Sequence, residues 1–278
     1  MITDYLAGLV AAVLSYLAPG FLPPPLRGPI RPNHRGRMIP VILGTAVTAS
    51  LCIVMLAGLA GDAIGGRTVF AWMWTILALL LVYAAGRYDD LQTERHRGVV
   101  AQLALLARGR ITTGIVKLAA ALAAGLVWVL ATRSPLARAV VGVPLIAGCC
   151  NLWNLLDVAP GRSGKFFLAA AIPMEAIQRS TLVAAGIGAV AGILWSDLEE
   201  RAMLGDAGAN VLGLVAGIGL FDRLGLVGLW VALGVVVALH VLSETVTLSR
   251  IIRAVPPLRW LDDLGRVRHP ESEDSTST

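Results

Sequence analysis

The chain has 278 residues, of which 56% are hydrophobic and only 15% charged, and its mean hydropathy is +0.75. Soluble domains carry about 45–50% apolar and about 25% charged residues, so the composition excludes an ordinary soluble fold. The formal net charge of +5 and pI near 9.6 fit loops held beside anionic lipid or a phosphorylated substrate better than they fit nucleic acid.

Nine apolar runs follow in chain order, at about 5–22, 39–60, 69–86, 111–131, 137–152, 166–178, 181–195, 208–221 and 225–247. A hydrocarbon core about 30 Å thick needs roughly 20 such residues in a helix. The runs therefore predict an all-α, polytopic transmembrane helical bundle of about nine spans. The sixth and eighth are short for a span, which suits helices flanked by irregular backbone lining a cavity. The first run lacks a basic leader and a clear cleavage site, so it reads as a spanning helix rather than a removed signal. Cys52, Cys149 and Cys150 lie inside apolar runs and predict no disulfide, zinc site or redox motif. Residues 1–250 read as one membrane domain. Residues 251–278 read as a cytoplasmic loop ending in a polar, disordered tail over 271–278.

Nine spans make loop parity testable. Of the 23 Lys and Arg, 17 fall in the loops that follow odd-numbered spans, counting the amphipathic stretch 98–110 and the tail. Arg67, Arg133, Arg138, Arg179 and Arg223 fall in the even loops, and Lys117 lies within the fourth span. The positive-inside rule then places the odd loops in the cytoplasm and the N-terminus outside. Nearly all grouped polar residues share the odd face, in loops 27–40, 87–97, 151–165, 196–210 and 250–270. An anchor does not need that asymmetry; a membrane enzyme with a cytosolic substrate does.

Several odd-loop groups have the chemistry for a site. Gly86, Arg87, Tyr88, Asp89 and Asp90 end the third span. Two adjacent carboxylates at a membrane boundary are costly unless hydrated, paired or metal-bound. Their mutual repulsion would raise one pKa toward neutrality; the alternative is a solvated helix end. Asn151, Asn154 and Asp157 follow at three-residue spacing. In a continuous helix they share a face, and their oxygens suit Mg2+. Helix capping before Pro160 and Gly161 is the plainer alternative. Gly205, Asp206, Gly208 and Asn210 enter the eighth span. Glycine lets a ligand approach the backbone, the helix start offers free N–H groups to a phosphate, and Asp206 could hold a cation or simply cap the helix. Lys117, about two turns into its span, could clamp a phosphate or snorkel to the interface. The basic first loop, with Arg27, Arg31, His34, Arg35 and Arg37, suits lipid head groups and could reach a nucleotide phosphate.

Two patterns carry less. Gly161, Gly164 and Lys165 resemble half a P-loop, but Ala159 stands where its first glycine belongs and Phe166 follows the lysine. His240 and Glu244, one turn apart, read as a buried polar pair fixing helix packing.

In order and loop parity, these motifs resemble the polyprenyl-phosphate N-acetylhexosamine-1-phosphate transferases, the superfamily of the phospho-MurNAc-pentapeptide translocase. The resemblance runs over about residues 31–250. It implies a polytopic helical fold in the plasma membrane of a bacterium, with a cytoplasmic site and Mg2+. It implies transfer of a sugar 1-phosphate from a nucleotide sugar, UDP-linked, to polyprenyl phosphate for envelope glycan synthesis. Carried over, Asp206 resembles the principal metal ligand and Asn154 a second. Asp89 and Asp90 resemble the carboxylate pair near the attacking lipid phosphate, Lys117 the pyrophosphate-binding lysine, and Asp157 the acidic position of the third motif. Arg37, Asn151, Arg162, Lys165, Gly205 and Gly208 are the candidate substrate contacts. The sequence departs from the family's D-G-x-D-G after Asp157, where Val158, Ala159, Pro160 and Gly161 follow, and the last segment has a single His269 rather than a histidine cluster. A non-catalytic polyprenyl-phosphate-binding scaffold, and less readily a lipid transporter, stand as rivals. Membrane lipids are expected neighbours, nucleic acid is not, and a homodimer is left open.

Overall fold

The apolar runs fold as helices because a bilayer offers the backbone no other hydrogen-bond partner. A computed structural model describes residues 2–65, 69–92, 105 and 107–266. Arg67, most of the stretch 98–110, part of the loop 87–97, His269 and the tail 271–278 lie outside the described residues. Each of the nine predicted runs corresponds to a helix: α1 (Ile2–Phe21), α2 (Leu43–Ile64), α3 (Phe70–Leu91), α4 (Thr113–Ala131), α5 (Leu136–Leu156), α6 (Arg162–Ile177), α7 (Thr181–Leu198), α8 (Gly205–Arg223) and α9 (Leu226–Thr245). Two short helices follow, α10 (Leu248–Ala254) and α11 (Pro256–Asp263).

Among the described residues seven of these helices, all but α6 and α8 of the nine, are long and apolar enough to cross a membrane. The fold is all-α and membrane-type, and the two exceptions have physical reasons. Helix α6 has only 16 residues. Helix α8 carries Asp206, Asn210, Asp222 and Arg223 but packs against α2, α3, α5 and α6. Val211, Leu212, Leu214 and Val215 on it are fully buried. A helix enclosed by protein need not match lipid along its length.

Around α8, one group is α1 with α2 and α7, and another is α3 with α4 and α5, against which α9 lies. The α2–α8 crossing is close because Gly44 meets Gly208: a Cβ on Gly44 would stand 2.7 Å from the Gly208 Cα. Small residues at such crossings let helix backbones approach.

One end of the bundle gathers the odd loops. The first loop forms a small antiparallel hairpin, β1 (Ile30–Pro32) with β2 (Met38–Pro40), in which Arg31 faces Ile39. Val41 then bridges to Met203 in parallel, and the backbone N–H groups of Leu43 and Gly44 donate to the carbonyls of Met203 and Leu204 at 3.1 Å each. Asn33 donates to Glu200 at 2.6 Å, and Arg35 pairs with the same carboxylate at 3.3 Å. Arg31 donates to the carbonyls of Asp90 and Gln92, closing the end of α3. Several arginines of the basic loop are therefore structural ties as well as surface charge.

Even-loop arginines also have local partners. Arg138 donates to the carbonyls of Phe221 and Leu224. Arg223 donates to those of Met174, Gly219 and Gln178, and Arg179 stacks on Tyr5. Cations at helix C-termini satisfy carbonyls the helix leaves open.

The segment after residue 250 continues the fold as α10 and α11 rather than as an open loop, and these helices return to α5 and α6. His240 bonds the Val236 carbonyl one turn back, and it is half-buried while Glu244 is exposed, so the two do not have the buried setting expected for them. The three cysteines are free thiols.

Candidate active site

The start of α8 is the hub, and its sequence explains why it sits where it does. Gly205 has φ +72°, a left-handed conformation that costs other residues free energy. A Cβ there would also stand 3.0 Å from both Asp90 carboxylate oxygens. Glycine is therefore needed both for the turn and for the space.

Asp90 uses that space. Its two carboxylate oxygens accept the backbone N–H groups of Asp206 at 2.9 Å and Ala207 at 3.1 Å. The start of α8 is thus capped by an aspartate from α3, a favourable place for negative charge. The N–H groups of Asp206 and Ala207, expected to be free for a phosphate, are therefore taken by Asp90.

Asp89 and Asp90 are adjacent in sequence but separate in role. Lys117, from α4, donates to Asp89 Oδ2 at 2.6 Å and to Asp206 Oδ2 at 3.0 Å. Each carboxylate of the pair has its own positive partner, a lysine for Asp89 and a helix start for Asp90, which offsets the repulsion expected from their sequence. Lys117 faces the protein interior instead of snorkelling. Three helices, α3, α4 and α8, meet in this one ion-pair network.

Asn154 joins from α5. With its amide oxygen toward Asp206 Oδ1, two acceptors face each other at 2.8 Å; with the amide turned over, Nδ2 donates to Asp206 Oδ1 at 2.8 Å and Oδ1 accepts from Lys117 Nζ at 3.3 Å. The turned setting is satisfied by protein alone. The other needs a proton on Asp206 or a cation between the oxygens. Octahedral Mg2+ binds oxygen at about 2.1 Å, which spaces neighbouring ligands about 2.9 Å apart. In that second setting the Asn154–Asp206 pair has the donor chemistry and the spacing that Mg2+ takes. Among the described residues no group of three or more His, Cys, Asp or Glu is arranged to hold a metal. Mg2+ characteristically takes one or two protein oxygens and completes its shell with substrate phosphate and water.

Helix α5 ends at Leu156, and Asp157 lies just past it with φ −79° and ψ 54°. The predicted continuous face of Asn151, Asn154 and Asp157 therefore stops at its second member. Asn151 is half-buried one turn earlier. Burial pushes the Asp157 carboxyl well above the usual carboxylate range, reinforced by Asp197, Asp206 and Asp90 nearby.

Other candidates have different surroundings. Arg162 forms a two-pronged pair with Asp262, 2.8 and 2.9 Å, and donates to Ser249 at 2.7 Å. Lys165 donates to the carbonyls of Asp262 and Leu264. Both cations hold α10 and α11 against α6. Gly208 packs on Gly44, and Arg37 is exposed on the hairpin beside its turn. Sequence reading missed Asp262, Glu200 and Asp197, whose carboxylate accepts the Gly161 N–H at 3.0 Å. Glu200 has φ +55°, unusual for a residue with a side chain. Nothing local in the sequence marks any of the three; each gains its meaning from a partner at least 36 residues away.

The arrangement sets an ammonium between two carboxylates, with an amide beside it and a further capping carboxylate, at one end of an apolar bundle. No family model and no curated protein matches the chain.

Proposed function

We propose that the protein is a membrane phosphoglycosyl transferase, moving a sugar 1-phosphate from a nucleotide sugar, UDP-linked, to polyprenyl phosphate. The reading includes nine spans, an external N-terminus and a site on the cytoplasmic face of the plasma membrane. The observation that carries it is Lys117 bridging Asp89 and Asp206 beside Asn154. Four residues from four helices converge there, and phosphoryl transfer chiefly needs charge and position.

Asp206 and Asn154 would hold Mg2+, which when bound supplies charge neutralisation at the pyrophosphate. Lys117 turns from its carboxylates to the phosphate oxygens and stabilises negative charge that grows there. An oxygen of the lipid phosphate forms a bond to the β-phosphorus. The bond from that phosphorus to the bridging oxygen breaks, and the nucleoside monophosphate leaves with the electron pair. Asp89 orients Lys117, and Asp90 fixes the start of α8 and so the position of Asp206.

Purified protein with Mg2+, polyprenyl phosphate and a panel of nucleotide sugars should release nucleoside monophosphate from at least one donor. Asp206→Asn should lower that rate by about 100-fold or more. No release from any donor by a folded protein would sink the proposal.

One observation favours a second reading, a polyprenyl-phosphate-binding scaffold of envelope assembly. The cations of the segment after Asp157, Arg162 and Lys165, hold the C-terminal helices instead of facing an open site. An assembly phenotype that survives Asp206→Ala would select it.

A further inference from the structure

We propose that a cavity at the seam of α1, α2 and α7 binds the head group of an anionic phospholipid from the surrounding bilayer. The cavity measures about 480 Å³ and is lined by Pro19, Gly20, Ile42 and Leu43, with Arg27, Arg201 and Ser196 among its polar residues. That volume falls in the roughly 300–1,000 Å³ range of small-molecule sites and exceeds what a bare phosphate fills. It is set off from the Asp89, Lys117 and Asp206 network, none of which lines it.

Its position marks the occupant as a lipid. The lining comes from the ends of α1 and α7, the start of α2 and the loop residues Arg27, Pro40, Ile42, Arg201 and Ala202 beside them; the three helices are long and apolar enough to cross a membrane. Tyr16, Phe21 and Trp195, near the lining residues in sequence, are exposed at 69%, 82% and 59%. Exposed aromatics at helix ends mark the membrane–water interface. A molecule entering here meets apolar wall on the bilayer side and guanidinium groups on the water side.

The charge selects an anion. Arg27 uses its Nε on the Leu22 carbonyl, and Arg201 uses one Nη on Glu199. A guanidinium has five N–H donors, so each has others for a phosphodiester. The apolar wall then covers the glycerol and first methylenes, and the acyl chains continue over the exposed faces of α1. No step depends on the catalytic reading.

The test is native mass spectrometry of the full chain released from bilayers containing equal phosphatidylglycerol and phosphatidylcholine, with inorganic phosphate added in a separate arm. One phosphatidylglycerol should be retained in preference to phosphatidylcholine. Arg201→Gln, at an exposed side chain, should weaken retention about five-fold, the effect of one surface cation. Gly20→Leu fills the cavity without changing charge, and its Cβ meets nothing within 4 Å; it should abolish retention while the thermal midpoint stays at the wild-type value. Equal retention of the two lipids, or wild-type retention by both variants, would overturn the proposal. Displacement by millimolar inorganic phosphate would overturn the lipid assignment in favour of a free anion.

Discussion

Lys117 separates two carboxylates that would otherwise face each other without a counter-charge. Removing one partner of a buried ion pair costs about 3–5 kcal/mol. The side chains here retain 16%, 8% and 16% of their exposure, so Lys117→Met should cost less, about 2–3 kcal/mol. Adding Asp89→Asn should recover part of that loss. On the proposed reading, Mg2+ should raise the thermal midpoint of Lys117→Met more than that of the wild type, because no lysine then competes with the dication for Asp206. An equal rise in both proteins would contradict that competition for Asp206.

Two aspartates outside the helical spans give stability opposite pH dependences. Burial alone would raise the Asp262 carboxyl, but hydrogen bonds from Arg162, with Arg266 and Lys165 close by, hold it below the usual range. Its contribution is present above the unfolded pKa of about 3.9 and is lost as pH falls through the lower folded value. Asp157 is raised. Above a pH of about 4 the unfolded chain has lost a proton that folded Asp157 keeps, so its contribution falls as pH rises. Asp157→Asn should therefore flatten the decline of thermal midpoint between acid and neutral pH and raise the midpoint at pH 7. A steeper decline in the variant would show that the carboxylate is stabilising as an anion.

At the scale of elements, the C-terminal cap shows most clearly what sequence reading reached. Arg162 and Asp262 are 5% and 3% exposed as side chains, so their pair is internal. Arg162→Ala should destabilise the docking of α10 and α11 by about 3–5 kcal/mol, seen as early proteolysis within 246–266. Replacing both partners by Met and Leu should cost much less, because no charge is left buried alone. The nine helices were legible because apolar runs of that length have one backbone solution in lipid. The cap was not legible: a polar segment of that composition reads as an open loop until its aspartate meets an arginine 100 residues away. The site was half legible. Residue types and order picked out Asp89, Lys117, Asn154 and Asp206, which the fold brings together. The α8 start was misread, since only the fold brings Asp90 onto its N–H groups.

The whole molecule has a chemical end and a quiet end. The first loop, the end of α3, the start of α4, the end of α5 and the start of α8 share the same end through named contacts. At the opposite end, Arg138 and Arg223 are tied to carbonyls. Charge asymmetry along the sequence thus has a structural counterpart: one end gathers interacting acids and bases, the other holds helices in place.

The measurement that tests the central claim most directly follows the phosphorus. The protein in liposomes containing polyprenyl phosphate and Mg2+ is given a nucleotide sugar labelled at its β-phosphate, the donor being the one that releases monophosphate. The account predicts that the label enters the lipid fraction one-for-one with nucleoside monophosphate, and that Asp206→Asn abolishes both. Label retained in water-soluble nucleoside diphosphate, with unlabelled sugar on the lipid, would contradict it.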